Sequence, residues 1–109
     1  MKYDDQTERT QLYKKAIVRF GVKSRLGKAL EEFCEASAAI TRFLSRPEGH
    51  SSSQIRDSLF EELADASIMV AQLKVLFADQ TDTRGRSIAQ IQEEKLARLE
   101  KLMNGAENV

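Results

Sequence analysis

Apolar residues recur along this chain at spacings of three and four, the repeat of helices that each bury one face. In the first stretch, from about residue 5 to residue 20, Leu12, Ala16, Ile17 and Phe20 make a short stripe that Gly21 is placed to end. A clearer stripe follows in Leu26, Leu30, Phe33, Ser37, Ile40 and Leu44. It predicts a helix stopping near Arg46, because Pro47 disfavours helical geometry in the residue before it. The polar run Pro47-Glu48-Gly49-His50-Ser51-Ser52-Ser53 reads as a turn, with a serine available to cap the next helix. That third helix, from about Gln54 to Ala78, carries Ile55, Leu59, Leu63, Ala66, Val70, Leu73 and Phe77. After a second loop, residues 79–86, Ser87 is set to cap a last helix reaching about Met103. Its apolar side is Ile88, Ile91, Leu96, Leu99 and Leu102. Residues 104–109 are expected to fray.

The fold class predicted is all-α: a four-helix bundle forming a single domain over residues 1–109, where ligand sites arise from side chains on facing helices. A bundle this small is expected to bury further apolar surface against a second copy, as a homodimer or homotetramer. Tyr13, Phe20 and Phe60 are candidates for stacking on a ligand ring, with core packing the expected role of each.

Composition narrows the chemistry. The chain has 109 residues, enough to bury roughly two-thirds of its unfolded surface. Seventeen basic and seventeen acidic residues cancel to zero net charge, which argues against a nucleic-acid polymer as partner. Cys34 is the one cysteine, so an internal disulfide and a cysteine-rich metal motif are both excluded. It is expected to be a small buried residue. No apolar run is long enough for a bilayer and the N-terminus has no signal-peptide pattern, so a cytoplasmic protein without a membrane partner is expected.

The acidic residues carry the strongest signal. Ala-Leu-Glu-Glu-Phe-Cys-Glu-Ala-Ser-Ala at 29–38 is echoed by Leu-Phe-Glu-Glu-Leu-Ala-Asp-Ala-Ser-Ile at 59–68. Each copy lies in mid-helix, and a turn between them brings the chain back. Residues three apart share a helix face, so Glu32 projects with Glu35, and Glu62 with Asp65. Packed antiparallel, the helices bring four carboxylates together beside the core. Such a group repels itself until a cation neutralises it, and Mg2+ or Mn2+ suits oxygen ligands. The competing reading is a solvated acidic face on a non-enzymatic helical interaction module. Cations follow the same stripes: Lys28, Arg42 and Arg46 on the second helix, Lys95 and Arg98 on the last. They suit phosphate oxygens or ordinary surface pairs, for example Lys28 with Glu32 or Glu94 with Arg98. A di-iron site would need Glu-x-x-His pairs, and the one histidine, His50, sits in the serine turn. A Cys34 nucleophile would lack a histidine partner.

Glu31-Glu32-x-x-Glu35 followed by Glu62-x-x-Asp65 resembles the MazG-like all-α nucleoside triphosphate pyrophosphohydrolases, particularly small phage-type members. The likeness extends to Phe20-Gly21 before the first acidic helix and to the run Ala66 to Leu73 after the second acidic segment. It also takes in Lys95-Leu96-Ala97-Arg98, so it spans about Tyr13 to Met103. It implies that Glu32, Glu35, Glu62 and Asp65 bind Mg2+ and that Lys95 and Arg98 contact phosphates. It also implies hydrolysis of a nucleoside triphosphate to monophosphate and pyrophosphate within a homo-oligomer. Glu35 or Glu31 is the expected base for the attacking water. The chain departs from the family pattern at Arg25, where glutamine is common, at Ala36 for leucine, and at Glu93 for asparagine.

Overall fold

The structure is a computed structural model and describes residues 1–46 and 53–107. It is all-α, with four helices: α1 (Gln6–Phe20), α2 (Val22–Ser45), α3 (Ser53–Leu76) and α4 (Ile88–Glu107). No strand occurs among the described residues. Nor, among them, is any helix long and apolar enough to cross a membrane. Of the turn expected from Pro47, residues 47–52 with His50 lie outside the described residues, as do residues 108 and 109 of the expected frayed tail, while Ser53 is the first residue of α3. Helix α4 continues past Met103 to Glu107, beyond the expected end.

The chain divides into two compact units, residues 1–76 and residues 77–109. In the first, Asp5 caps α1 by accepting a hydrogen bond from the Thr7 N–H at 2.9 Å. Gly21 ends α1 and starts α2 without a loop. Its N–H donates to the Ile17 carbonyl at 2.9 Å and its own carbonyl accepts from the Arg25 N–H at 3.1 Å. Its φ of +88° is open to glycine and strained for any other residue. Helices α2 and α3 make the dominant packing of this unit, and α1 lies chiefly on α3.

The α2–α3 seam is built from small and acidic side chains. On α2 the inward positions are Arg25, Ala29, Glu32, Ala36, Ala39 and Phe43, spaced four and three apart, with Ala29, Glu32, Ala36 and Ala39 buried. On α3 they are Ile55, Leu59, Glu62, Ala66, Met69 and Leu73, with Met69 buried. Alanines let the two backbones approach closely, leaving room between them for the longer carboxylate side chains.

This corrects the stripe expected on α2. Leu26, Leu30, Ile40 and Leu44 are exposed, and Phe33 is half-buried. Each follows a seam residue by one position, about 100° around the helix. On α3, Leu63 and Val70 are exposed as well, and Phe60 is exposed where core packing was expected. Because antiparallel helices turn in the same sense, the residues one past the seam on α2 and on α3 emerge on the same side of the hairpin. Glu35 and Asp65, three past the seam residues Glu32 and Glu62, emerge on the opposite side. One side is thus apolar and the other charged, with Lys28 and Arg42 beside Glu35 and Asp65. Cys34, expected to be buried, is exposed.

The second unit is organised by Asp82 and Ser87. Asp82 Oδ1 accepts from the Arg84 and Arg86 N–H groups at 2.9 and 3.0 Å, and its Oδ2 accepts from the Arg86 guanidinium. These bonds, that from the Arg86 N–H foremost, hold the Asp82 carboxyl below its ordinary range. Ser87 and Gln90 form a reciprocal capping box at the start of α4, as Ser87 promised: the Ser87 N–H donates to Gln90 Oε1 at 2.7 Å, and the Gln90 N–H donates to Ser87 Oγ at 3.1 Å. Leu96, Leu99 and Leu102, expected on a buried stripe, are exposed along α4.

Candidate metal centre

The register of α2 against α3 is fixed by contacts along the seam. Arg25 Nη1 donates to Gln72 Oε1 at 3.5 Å, Glu32 meets Asp65 and Glu62, and Glu35 reaches Glu62. Seven residues forward on α2, from Arg25 to Glu32, match seven residues back on α3, from Gln72 to Asp65. The acidic echo therefore closes on itself. Glu32 stands level with Asp65 and Glu35 level with Glu62, as an approximate two-fold axis between the helices would place them.

Two groups of carboxylates result. Glu32, Glu62 and Asp65 bring one oxygen each to within 4.8 Å of one another, and so do Glu31, Glu32 and Glu35. Glu32 belongs to both. The residues grade from interior to surface: Glu32 is 6% exposed, Glu62 is half-buried, and Glu31, Glu35 and Asp65 are exposed. Of the carboxylates expected to form a site, all four proposed ligands and Glu31 are brought together. Glu61, the remaining member of the echo, is exposed on α3 and belongs to neither group.

Among the described residues, one cation, Lys28, reaches the carboxylates of this arrangement. Glu32 Oε1 takes an ion pair from Lys28 Nζ at 2.9 Å, while Lys28 also approaches Glu31 at 3.9 Å. The hydrogen bond to Glu32, aided by the charge of Glu31, raises the Lys28 ammonium above its ordinary value. Glu32 Oε2 and Glu62 Oε2 are buried with no hydrogen-bond partner. A buried oxygen left in that state costs free energy unless something neutralises it. Loss of water around Glu62 pushes its carboxyl up. The charge of Glu35 and a hydrogen bond with it act in the same direction, with Asp65 and Glu32 adding to them. A divalent cation fits the donor set: carboxylate oxygens only, two of them buried and unpartnered.

Around this centre the other expected residues fall differently. Lys28 makes the ion pair with Glu32 that was weighed for it against a phosphate role. Arg46 lies over the Phe43 ring at 3.7 Å and donates to the Phe43 carbonyl, which accounts for its guanidinium. Arg42 is exposed on α2. Lys95 and Arg98 are exposed on α4 in the second unit, and Glu94 pairs with Arg86.

Two features were not anticipated. Arg25 sits at one end of the seam, over the Phe20 ring at 4.6 Å and against the buried Gln72, with its Nε buried and unpartnered. The available signal was that Gln72 is a polar residue inside a buried stretch of α3. The second is a cleft of about 480 Å3 between α1 and α3, lined by Tyr3, Arg9, Leu12, Tyr13, Ser67 and Ile68 among others. It borders Asp65 along α3, since Ala64 and Ile68 also line it. Tyr13 is buried, as expected of a core residue, yet one side of it forms the cleft wall. Nothing in the sequence distinguished Tyr3 and Arg9. Comparison of the chain with protein families, with curated proteins and with solved structures gives no match.

Proposed function

We propose that this chain is a Mg2+-dependent nucleotide pyrophosphohydrolase, converting a nucleoside triphosphate and water to the monophosphate and pyrophosphate. The observation that carries the reading is Glu32: a buried carboxylate with one unpartnered oxygen, in reach of Glu62 and Asp65. Glu32, Glu35, Glu62 and Asp65 would hold the ion, with Mn2+ as an alternative to Mg2+. When bound, the ion supplies charge neutralisation for the phosphate chain and lowers the pKa of the attacking water. Glu35 or Glu31, both exposed at the rim, orients that water and takes its proton. The phosphate role of Lys95 and Arg98, on α4, is what the resemblance to MazG-like enzymes implies. The resemblance of the two acidic segments to MazG-like enzymes turns a cation site toward nucleotides. The α1–α3 cleft supports the same direction, because it offers an apolar, tyrosine-bearing wall next to a cation-seeking centre.

The apolar side of the α2–α3 hairpin supports a homo-oligomer. Leu26, Leu30, Ile40, Leu44, Phe60, Leu63 and Val70 are each 42% to 78% exposed there, far more than scattered surface leucines. A second copy covering this side would meet the same self-complementary surface.

The direct test is pyrophosphate release from a panel of nucleoside triphosphates with Mg2+, comparing wild type with Glu32→Ala and Asp65→Ala. Loss of a ligand should lower activity by roughly 100-fold or more, since even outer-shell changes cost 10–100-fold. Equal activity in the three proteins refutes the reading and leaves the interaction-module alternative.

A further inference from the structure

We infer that Lys28 fills the place of a second cation, so that the carboxylate cluster holds one divalent ion and not two. The inference rests on the metal reading above and concerns how this chain limits it. The sequence echo relates position 32 to 62 and 35 to 65, and the antiparallel register makes that relation an approximate two-fold axis. A centre obeying that axis would offer two equivalent cups, Glu32 with Glu62 and Asp65, and Glu62 with Glu32 and Glu35. Two ions about 3.5–4 Å apart, bridged by shared carboxylates, are the familiar outcome of such a geometry.

This chain breaks the symmetry at one position. The residue related to Lys28 is Ser58, which carries no charge. Lys28 Nζ lies 2.9 Å from Glu32 Oε1 and 3.9 Å from Glu31 Oε2. The carboxylate group on α2, Glu31, Glu32 and Glu35, has Lys28 as its counter-charge. In the first group, Glu32, Glu62 and Asp65, Lys28 reaches Glu32 alone. Glu32 is 6% exposed with Oε2 unpartnered, and Glu62 Oε2 is also buried and unpartnered. Glu32 thus has one oxygen committed to an ammonium and one still seeking a cation. It cannot bridge two divalent ions unless Lys28 leaves, and Lys28 is tethered one helical turn away on the same face.

The test is Mn2+ binding to the full chain, read as ions bound per chain by titration calorimetry and as the electron paramagnetic resonance signal of the bound ion. Wild type should bind one Mn2+ per chain with the spectrum of an isolated ion. Lys28→Ser, which restores the pairing with Ser58, should bind two with a spin-coupled spectrum. Lys28→Met serves as a second variant of unchanged bulk, and circular dichroism confirms that both stay helical. Two ions in wild type overturn the inference and leave the metal reading standing, and one ion in wild type and both variants does the same. No Mn2+ bound by any of the three overturns the metal reading and this inference with it.

Discussion

Replacing Glu32 by methionine should make the metal-free protein more stable and deprive it of its response to Mg2+. Glu32 is 6% exposed, and in the absence of metal its Oε2 has no partner. An unsatisfied buried polar atom costs about 1–3 kcal/mol. Methionine keeps the length of the side chain and removes both the orphaned oxygen and the negative charge facing Glu62 and Asp65. Against this stands the lost ion pair with Lys28, whose side chain is 45% exposed and therefore well screened by water. The balance favours the variant by about 1–2 kcal/mol, or a rise in Tm of roughly 4–8 °C per kcal/mol for a unit of this size. Metal has the opposite effect on the two proteins' ranking. Mg2+ at 100 times its Kd adds about 2.7 kcal/mol to wild type and nothing to a variant without the site. The assay is thermal denaturation followed by circular dichroism, in EDTA and across a Mg2+ or Mn2+ series. If Glu32→Met were less stable than wild type in EDTA, or if the ion raised both proteins equally, the argument from the buried oxygen would be wrong.

Glu62 gives a pH signature. Its folded-state value is raised above 4.5, so folding favours its protonated form, and the stability it contributes is complete below the unfolded value. That contribution should fade as pH rises from about 4.5 through the raised folded value. Glu62→Gln, which mimics the protonated group, should flatten the dependence in EDTA, and an unchanged profile would contradict the assignment. Gly21→Ala should cost about 1–3 kcal/mol in urea denaturation, all of it backbone strain, because a Cβ there meets nothing within 4 Å. Leu30→Glu and Phe60→Glu together should convert an oligomer to monomers in sedimentation without loss of helicity. A wild-type chain that sediments as a monomer would remove the basis for that expectation.

Element boundaries were legible because their signals are local: Gly21 after α1, Pro47 beyond the end of α2, and Ser87 before α4. The carboxylate centre was legible because the echo repeats a whole segment, so helix periodicity placed Glu32 with Glu35 and Glu62 with Asp65. The faces were harder. Leucine and phenylalanine drew the α2 stripe to 26, 30, 33, 37, 40 and 44, whereas the backbones meet one residue earlier, over Ala29, Ala36 and Ala39. Alanine carries little hydrophobic signal, yet it permits the closest approach, and a hairpin enclosing carboxylates needs that space. The large residues then face outward. The α1–α3 cleft was invisible for another reason: Tyr3 and Arg9 reach it through tertiary packing, with no pattern of spacing to mark them.

The corner at Gly21 has a consequence for that cleft. With no loop between α1 and α2, two torsion angles of one residue decide the pitch at which α1 crosses α3. Those same angles therefore set the width of the gap between the Leu12–Tyr13 wall and the Ile68 wall. The cleft's aperture is tuned from a point on the opposite end of α1 from Tyr3. A change of backbone preference at position 21 would alter what fits there without touching a residue that lines it.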